Sequence, residues 1–166
     1  MSFKPFLAVI AFLTIGSLVA GAEEKKNLAK TTNDLNSWRL EQHEAAKAEI
    51  AVDADAIVVT IKETTGTDWH VQAMQTGLPL LEGKEYTLSF KAKASADRSV
   101  PVNATIDQDD WHAIGLAETA EVTGDWKEFT YTFKAEGIVK DKNRFSLILG
   151  GDKGKVWVKE VRLTEK

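Results

Sequence analysis

Cysteine is absent from all 166 positions. Disulfides, thiol catalysis, thiolate metal sites and lipidation of a mature N-terminal cysteine are therefore excluded. A basic excess is also missing, since 21 Lys and Arg face 25 Asp and Glu. A mildly acidic surface argues against nucleic acid and anionic membranes, because both need a basic footprint. No run of apolar residues reaches the roughly 20 needed to cross a bilayer. There is no Gly-x-Ser-x-Gly elbow, no His-Glu-x-x-His pair and no phosphate loop, so no sequence pattern marks hydrolytic or nucleotide chemistry. No internal repeat and no βαβ rhythm appears.

What is present begins with an export pattern. Met1–Pro5 carries one charge, Lys4, and Phe6–Val19 is an apolar and small-residue run of about 14 residues. Ala20-Gly21-Ala22 supplies the small-x-small site of a signal peptidase, and Glu23-Glu24-Lys25-Lys26 follows at once. Residues 1–22 read as a cleaved signal peptide, with an uncleaved anchor as the alternative. The expected location is periplasmic, cell-surface or extracellular, with no membrane insertion after cleavage. Loss of Lys4 makes the mature chain one unit more acidic than the full chain's −4. What remains is one domain's length, held without disulfides by its core alone.

Residues 23–37 are polar and without period, a leader into a domain spanning 38–166. Beyond it, period two dominates. Lys47–Asp53 alternates and Ala56–Lys62 is a β-branched run. Glu85–Ser95 sets Tyr86, Leu88, Phe90, Ala92 and Ala94 against Thr87, Ser89, Lys91 and Lys93. Ser99–Asp107 sets Val100, Val102, Ala104 and Ile106 against Pro101, Asn103, Thr105 and Asp107. Phe129, Tyr131 and Phe133 alternate, as do Phe145, Leu147 and Leu149, and Val156, Val158, Val161 and Leu163 close the chain. Glycines fall between the runs. Leu40–Ile50 has a helical composition but no clean helical stripe. Many short strands with turn signals predict an all-β, two-sheet antiparallel sandwich.

Several segments then resemble carbohydrate-binding modules of families 4 and 9. They are Trp69-His70-Val71-Gln72; Gly77, Leu81, Gly83-Lys84 and Tyr86–Ala94; Val122-Thr-Gly-Asp-Trp126-Lys-Glu-Phe129 with Thr132-Phe133; Leu147-Ile-Leu-Gly150; Val156-Trp-Val158 and Val161-Arg-Leu163. Together they cover roughly residues 38–164, and their order and spacing are more specific than any one piece. The resemblance implies a jelly-roll, galactose-binding-like sandwich with a groove on its concave sheet. It implies polysaccharide or oligosaccharide binding without turnover, β-glucans and xylans favoured, and no nucleic acid partner. Such modules usually accompany glycoside hydrolases, but no length is left here for a catalytic domain. A monomer is expected.

Sugar recognition needs flat aromatic faces for pyranose C–H bonds and planar polar side chains for paired hydroxyls. The resemblance places a stacking aromatic at Trp69 and a polar partner at Gln72. Their spacing of three puts them on opposite faces of a regular strand, so Trp69 must lie at an irregular strand start. Otherwise Trp69 is a core residue in register with Val71 and Ala73, and Gln72 a solvated strand position. Relatives also carry an aromatic in a loop over the groove. Here that residue is Trp111, after the acidic run Asp107-Gln108-Asp109-Asp110, a polar setting in which a tryptophan is not expected to be fully buried. His112 beside it is a groove contact or a turn histidine. Asn103 faces away from the core pattern. Arg144 and Ile148 project outward from a strand that carries groove side chains in relatives; Arg144 is a hydroxyl bridge or a solvated edge arginine, and Ile148 an apolar floor. Trp126 reads as framework, and Trp157, out of phase with its valine neighbours, as partly exposed.

Many relatives hold a structural calcium, which needs six to eight oxygens with several carboxylates. Here Lys159 stands where the closing aspartate is expected, leaving Asp34 and Glu160 as remnants; no other cofactor is implied. The Asp107–Asp110 run with His112 is a metal candidate or a solvated acidic loop. A glycosidase would need two carboxylates facing across a groove, and nothing marks such a pair. The competing readings are an envelope or matrix sandwich that contacts proteins and, behind it, a small glycoside hydrolase.

Overall fold

The computed structural model of the protein describes residues 24–166, so the signal peptide read over residues 1–22 lies outside the described residues. Ten strands follow one another: β1 (Arg39–Gln42), β2 (Lys47–Asp53), β3 (Ala56–Glu63), β4 (Val71–Thr76), β5 (Glu85–Ala94), β6 (Arg98–Ile106), β7 (Ala113–Val122), β8 (Lys127–Lys134), β9 (Asn143–Ile148) and β10 (Gly154–Glu165). They form two antiparallel five-stranded sheets, ordered β1-β4-β9-β6-β7 and β2-β3-β10-β5-β8. Only the β2–β3 and β6–β7 connections stay within a sheet; the other seven cross to the opposite one. This is the two-sheet antiparallel sandwich that the alternation predicts, in the jelly-roll form that the resemblance implies.

Alternation drives it. On β5 the residues Tyr86, Leu88, Phe90, Ala92 and Ala94 are buried while their neighbours face solvent. They meet Val100, Val102, Phe145 and Leu147 of the other sheet in one core. Each large side chain contributes about 1.5–3 kcal/mol by leaving water. The switch from Val156 and Val158 to Val161 and Leu163 has a physical cause in a register shift between Lys159 and Arg162. Glu160 adopts a positive φ of 53° there, and the extra residue returns the following valine to the core side.

Leu40–Ile50 is strand, turn and strand, not helix. Glu44 takes φ 55° in the turn, and Ala46 and Ala48 are buried. Tertiary burial overrides the helical composition. The polar leader is also laced to the sandwich. Leu28 N–H donates to Leu163 O (2.7 Å) and Leu163 N–H to Asn27 Oδ1 (2.8 Å). The fully buried Gln75 of β4 accepts from Lys30 N–H (2.8 Å) and donates to Lys30 O (3.2 Å). Residues 27–32 thus bridge β10, at Asn27, Leu28 and Thr32, and β4, at Lys30, as part of the domain.

Candidate functional site

The outward face of the β1-β4-β9-β6-β7 sheet carries the site. Strand register sets its rows: Glu41 opposite Gln72 opposite Ile148; Arg39, Met74, Ser146, Asn103 and Ala117 across all five strands; then Thr76, Arg144 and Thr105. A cleft of about 530 Å³ on this face is lined by Glu41, His43, Trp69, Gln72, Trp111 and Arg144. That volume lies within the usual range for small-ligand sites.

Trp69 sits in a single 3-10 turn, Asp68–His70, directly before β4. The turn answers the spacing problem, because it lets Trp69 and Gln72 share one face although three residues separate them. The indole is 48% exposed, lies 5.2 Å from the His43 ring and meets the His70 ring edge-on at 4.2 Å. His70 is itself fixed by Thr65 Oγ1 at 2.7 Å from Nδ1. Gln72 is nearly buried and donates to Trp69 O (3.0 Å), so one amide both anchors the turn and borders the cleft. Trp111 rises from the β6–β7 loop, beyond the opposite end of β4, and is 56% exposed. Its φ of 42° is unusual for a side chain of this size.

Between the indoles lies a closed ionic network. Arg39 donates to both Asp107 oxygens (2.8 and 2.5 Å) and pairs with Glu41 at 2.9 Å. Arg144 reaches Thr105 Oγ1 (2.9 Å), Met74 Sδ (3.1 Å), Asp107 (3.3 Å) and Glu41 (3.8 Å). Arg144 is only 5% exposed, so it is no solvated edge arginine. Burial pulls its pKa down from the ordinary value. The hydrogen bond to Asp107 raises that of Arg39 and lowers that of Asp107. Two guanidinium groups face two carboxylates, leaving the network without net charge.

The other sequence candidates are distributed differently. Ile148 is buried and borders a smaller pocket of about 200 Å³ beside Pro101, Thr119 and Asp68. Asn103 is half-buried in the central row and lines neither pocket. His112 stands outside the cleft lining, with Nε2 2.6 Å from Gly137 O and Nδ1 3.0 Å from Asp110. On the opposite sheet Trp126 is partly exposed, with Lys93 and Lys159 ammonium groups over its ring at 5.1 and 4.7 Å. Trp157 donates to Asp53 (2.9 Å). Sequence reasoning missed Glu41 and His43, which belong to the segment of helical composition; only a strand reading of Arg39–Gln42 would have aimed Glu41 outward.

The side chains left for the calcium ion that the resemblance implies have other partners in this fold. Glu160 is paired with Lys91 at 2.7 Å, and Lys159 with Asp55 at 3.0 Å. The Asp34 carboxylate caps its own turn through Asn36 N–H at 3.0 Å. Among the described residues no group of three or more His, Cys, Asp or Glu side chains is placed to hold a metal ion. In the acidic loop, Asp107 is taken by arginines and Asp110 by His112.

With this geometry in view, a family model described as a carbohydrate binding domain matches residues 23–153. The chain belongs to that family. It is a carbohydrate-binding module rather than a catalytic domain. Among solved structures, a family 4 carbohydrate-binding module is 26% identical with a TM-score of 0.72, covering 82% of this chain and 94% of that one. The N-terminal cellulose-binding domain of β-1,4-glucanase C from Cellulomonas fimi is 17% identical with a TM-score of 0.65, over 82% and 93%. The second N-terminal cellulose-binding domain of the same enzyme is 21% identical at 0.63, over 86% and 92%. These two likenesses speak to the fold alone. No curated protein matches the chain.

Proposed function

We propose that the module holds a neutral polysaccharide or oligosaccharide, of the β-glucan or xylan class, in the cleft between Trp69 and Trp111. The observation that carries this is two exposed indoles bordering one cleft with a planar amide between them. Indole faces pack against pyranose C–H bonds, while Gln72 Oε1 serves a sugar hydroxyl. Neutrality follows from the ionic network: Glu41, Asp107, Arg39 and Arg144 are engaged with one another, so no unpaired charge in it awaits an acidic or basic ligand. The Cellulomonas fimi domains that share this fold are cellulose-binding, which supports the sugar class. The module acts after export, as a monomer and without turnover.

Affinity electrophoresis through gels containing β-glucan, xylan or mannan tests this. Retardation by a neutral polymer, lost on Trp69→Ala, is the expected result. Unretarded migration in all three gels, with binding to an unrelated protein partner instead, overturns it.

A further inference from the structure

The tryptophan arm over the cleft is held from outside the site. Trp111 adopts the left-handed conformation, which a non-glycine residue keeps only where its surroundings impose it. Its own turn contributes one bond, Trp111 N–H to Gln108 O (2.9 Å). The next residue links the arm to the fold twice: its carbonyl accepts from Ile106 N–H of β6 (3.1 Å), and its ring reaches a different connection. His112 Nε2 lies 2.6 Å from Gly137 O, and Nδ1 lies 3.0 and 3.1 Å from the two oxygens of Asp110. Gly137 is in the β8–β9 connection, and a Cβ there would press on the imidazole at 3.1 Å. The connection is pinned in turn by Glu82, whose carboxylate accepts from Gly137 N–H and Ile138 N–H, both at 3.1 Å.

Neither partner of His112 has a proton to give: one is a backbone carbonyl and the other an ionised carboxylate. Both ring nitrogens must donate, and only the imidazolium carries two N–H groups. We propose that His112 is a positioning residue whose protonated ring ties the Trp111 arm to the β8–β9 connection, so that sugar affinity falls as the ring loses its proton. This rests on the sugar-binding reading of the Trp69–Trp111 cleft.

The electrostatics agree with the geometry. The hydrogen bond to Gly137 O, then that to Asp110, hold His112 above the ordinary histidine value of 6.5. The charged groups around it are Asp110 on its own loop, Glu82 from the β4–β5 connection, and Glu136 beside Gly137, paired with Lys134 at 2.7 Å. A raised value means the brace is complete below about pH 6.5 and is lost as pH rises through the elevated value. His43 and His70, both against Trp69, are the other histidine rings beside an indole of the cleft, so the experiment must separate them from His112.

Isothermal titration of the protein with cellohexaose, laminarihexaose and xylohexaose, at about pH 5.5 and about pH 8.5, reads the effect. The parent should bind about three- to tenfold more weakly at the higher pH, the worth of one lost hydrogen bond. His112→Gln, whose amide cannot titrate, should bind with one affinity at both. Asp110→Asn should move the parent's fall to lower pH, and serves if the glutamine variant does not fold. A parent affinity equal at the two pH values overturns the proposal, as does a pH dependence that survives in His112→Gln, which would point to the histidines beside Trp69, His43 and His70. If none of the three sugars binds at any pH, the sugar-binding reading fails and the brace is judged without ligand. Acrylamide quenching of Trp111, taken as the difference from Trp111→Phe, should then rise with pH in the parent and stay level in His112→Gln; equal quenching at both pH values overturns the brace.

Discussion

Neutralising Asp107 by Asp107→Asn gives the most informative stability measurement on the binding face. Arg144 is 5% exposed and has Asp107 Oδ1 at 3.3 Å, with Glu41 as the remaining carboxylate at 3.8 Å. Arg39 sits in the same cluster and opposes it. Removing one partner of a fully buried pair costs about 3–5 kcal/mol. Here the Asp107 side chain is 21% exposed and Glu41 stays, which brings the expectation to about 2–3 kcal/mol. For a chain of this length that lowers Tm by about 4–12 °C. Urea unfolding should show a lower midpoint with an unchanged slope. The double variant Asp107→Leu with Arg144→Met removes both charges and should regain most of the loss. A single-variant cost below about 0.5 kcal/mol, or no recovery in the double variant, would refute the claim that these charges depend on each other.

Acid should erase the same difference. The hydrogen bond from Arg39 depresses the Asp107 pKa below 3.8, so its contribution is present above that value and disappears as pH falls through the depressed one; parent and Asp107→Asn should converge in thermal melts in strong acid. Gly115 has φ 110°, and a Cβ there would strike the Lys134 carbonyl, so Gly115→Ala should cost about 2 kcal/mol or more in urea unfolding. Gln75→Ala removes both side-chain bonds to Lys30, and should cost about 2 kcal/mol and raise hydrogen exchange across residues 24–34.

The sandwich was legible where buried and exposed residues keep strict alternation, as on β5, and even the β10 bulge shows as a change of parity after Val158. β1 was not, because Arg39–Gln42 is four residues long and has no apolar alternation. β7 was obscured by Glu118, an exposed acid at a position whose parity is that of buried Ile114, Leu116, Ala120 and Val122. At the site, Trp69, Gln72, Trp111 and Arg144 were named from sequence and the fold gathers them around one cleft. His112 turned away because its partner Gly137 lies 25 positions downstream. Arg144 was read as facing outward, and it does, but the carboxylate that holds it lies 37 positions upstream. Pairings of that kind belong to topology, which local spacing does not encode.

Calorimetric titration of the parent, Trp69→Ala and Trp111→Ala with a panel of neutral β-linked hexasaccharides tests the sugar-binding cleft most directly. One sugar should bind the parent, and each variant should lose about 1–3 kcal/mol of affinity, the worth of one stacked ring, while unfolding at nearly the parent's temperature. Parent-like affinity in both variants would contradict the account.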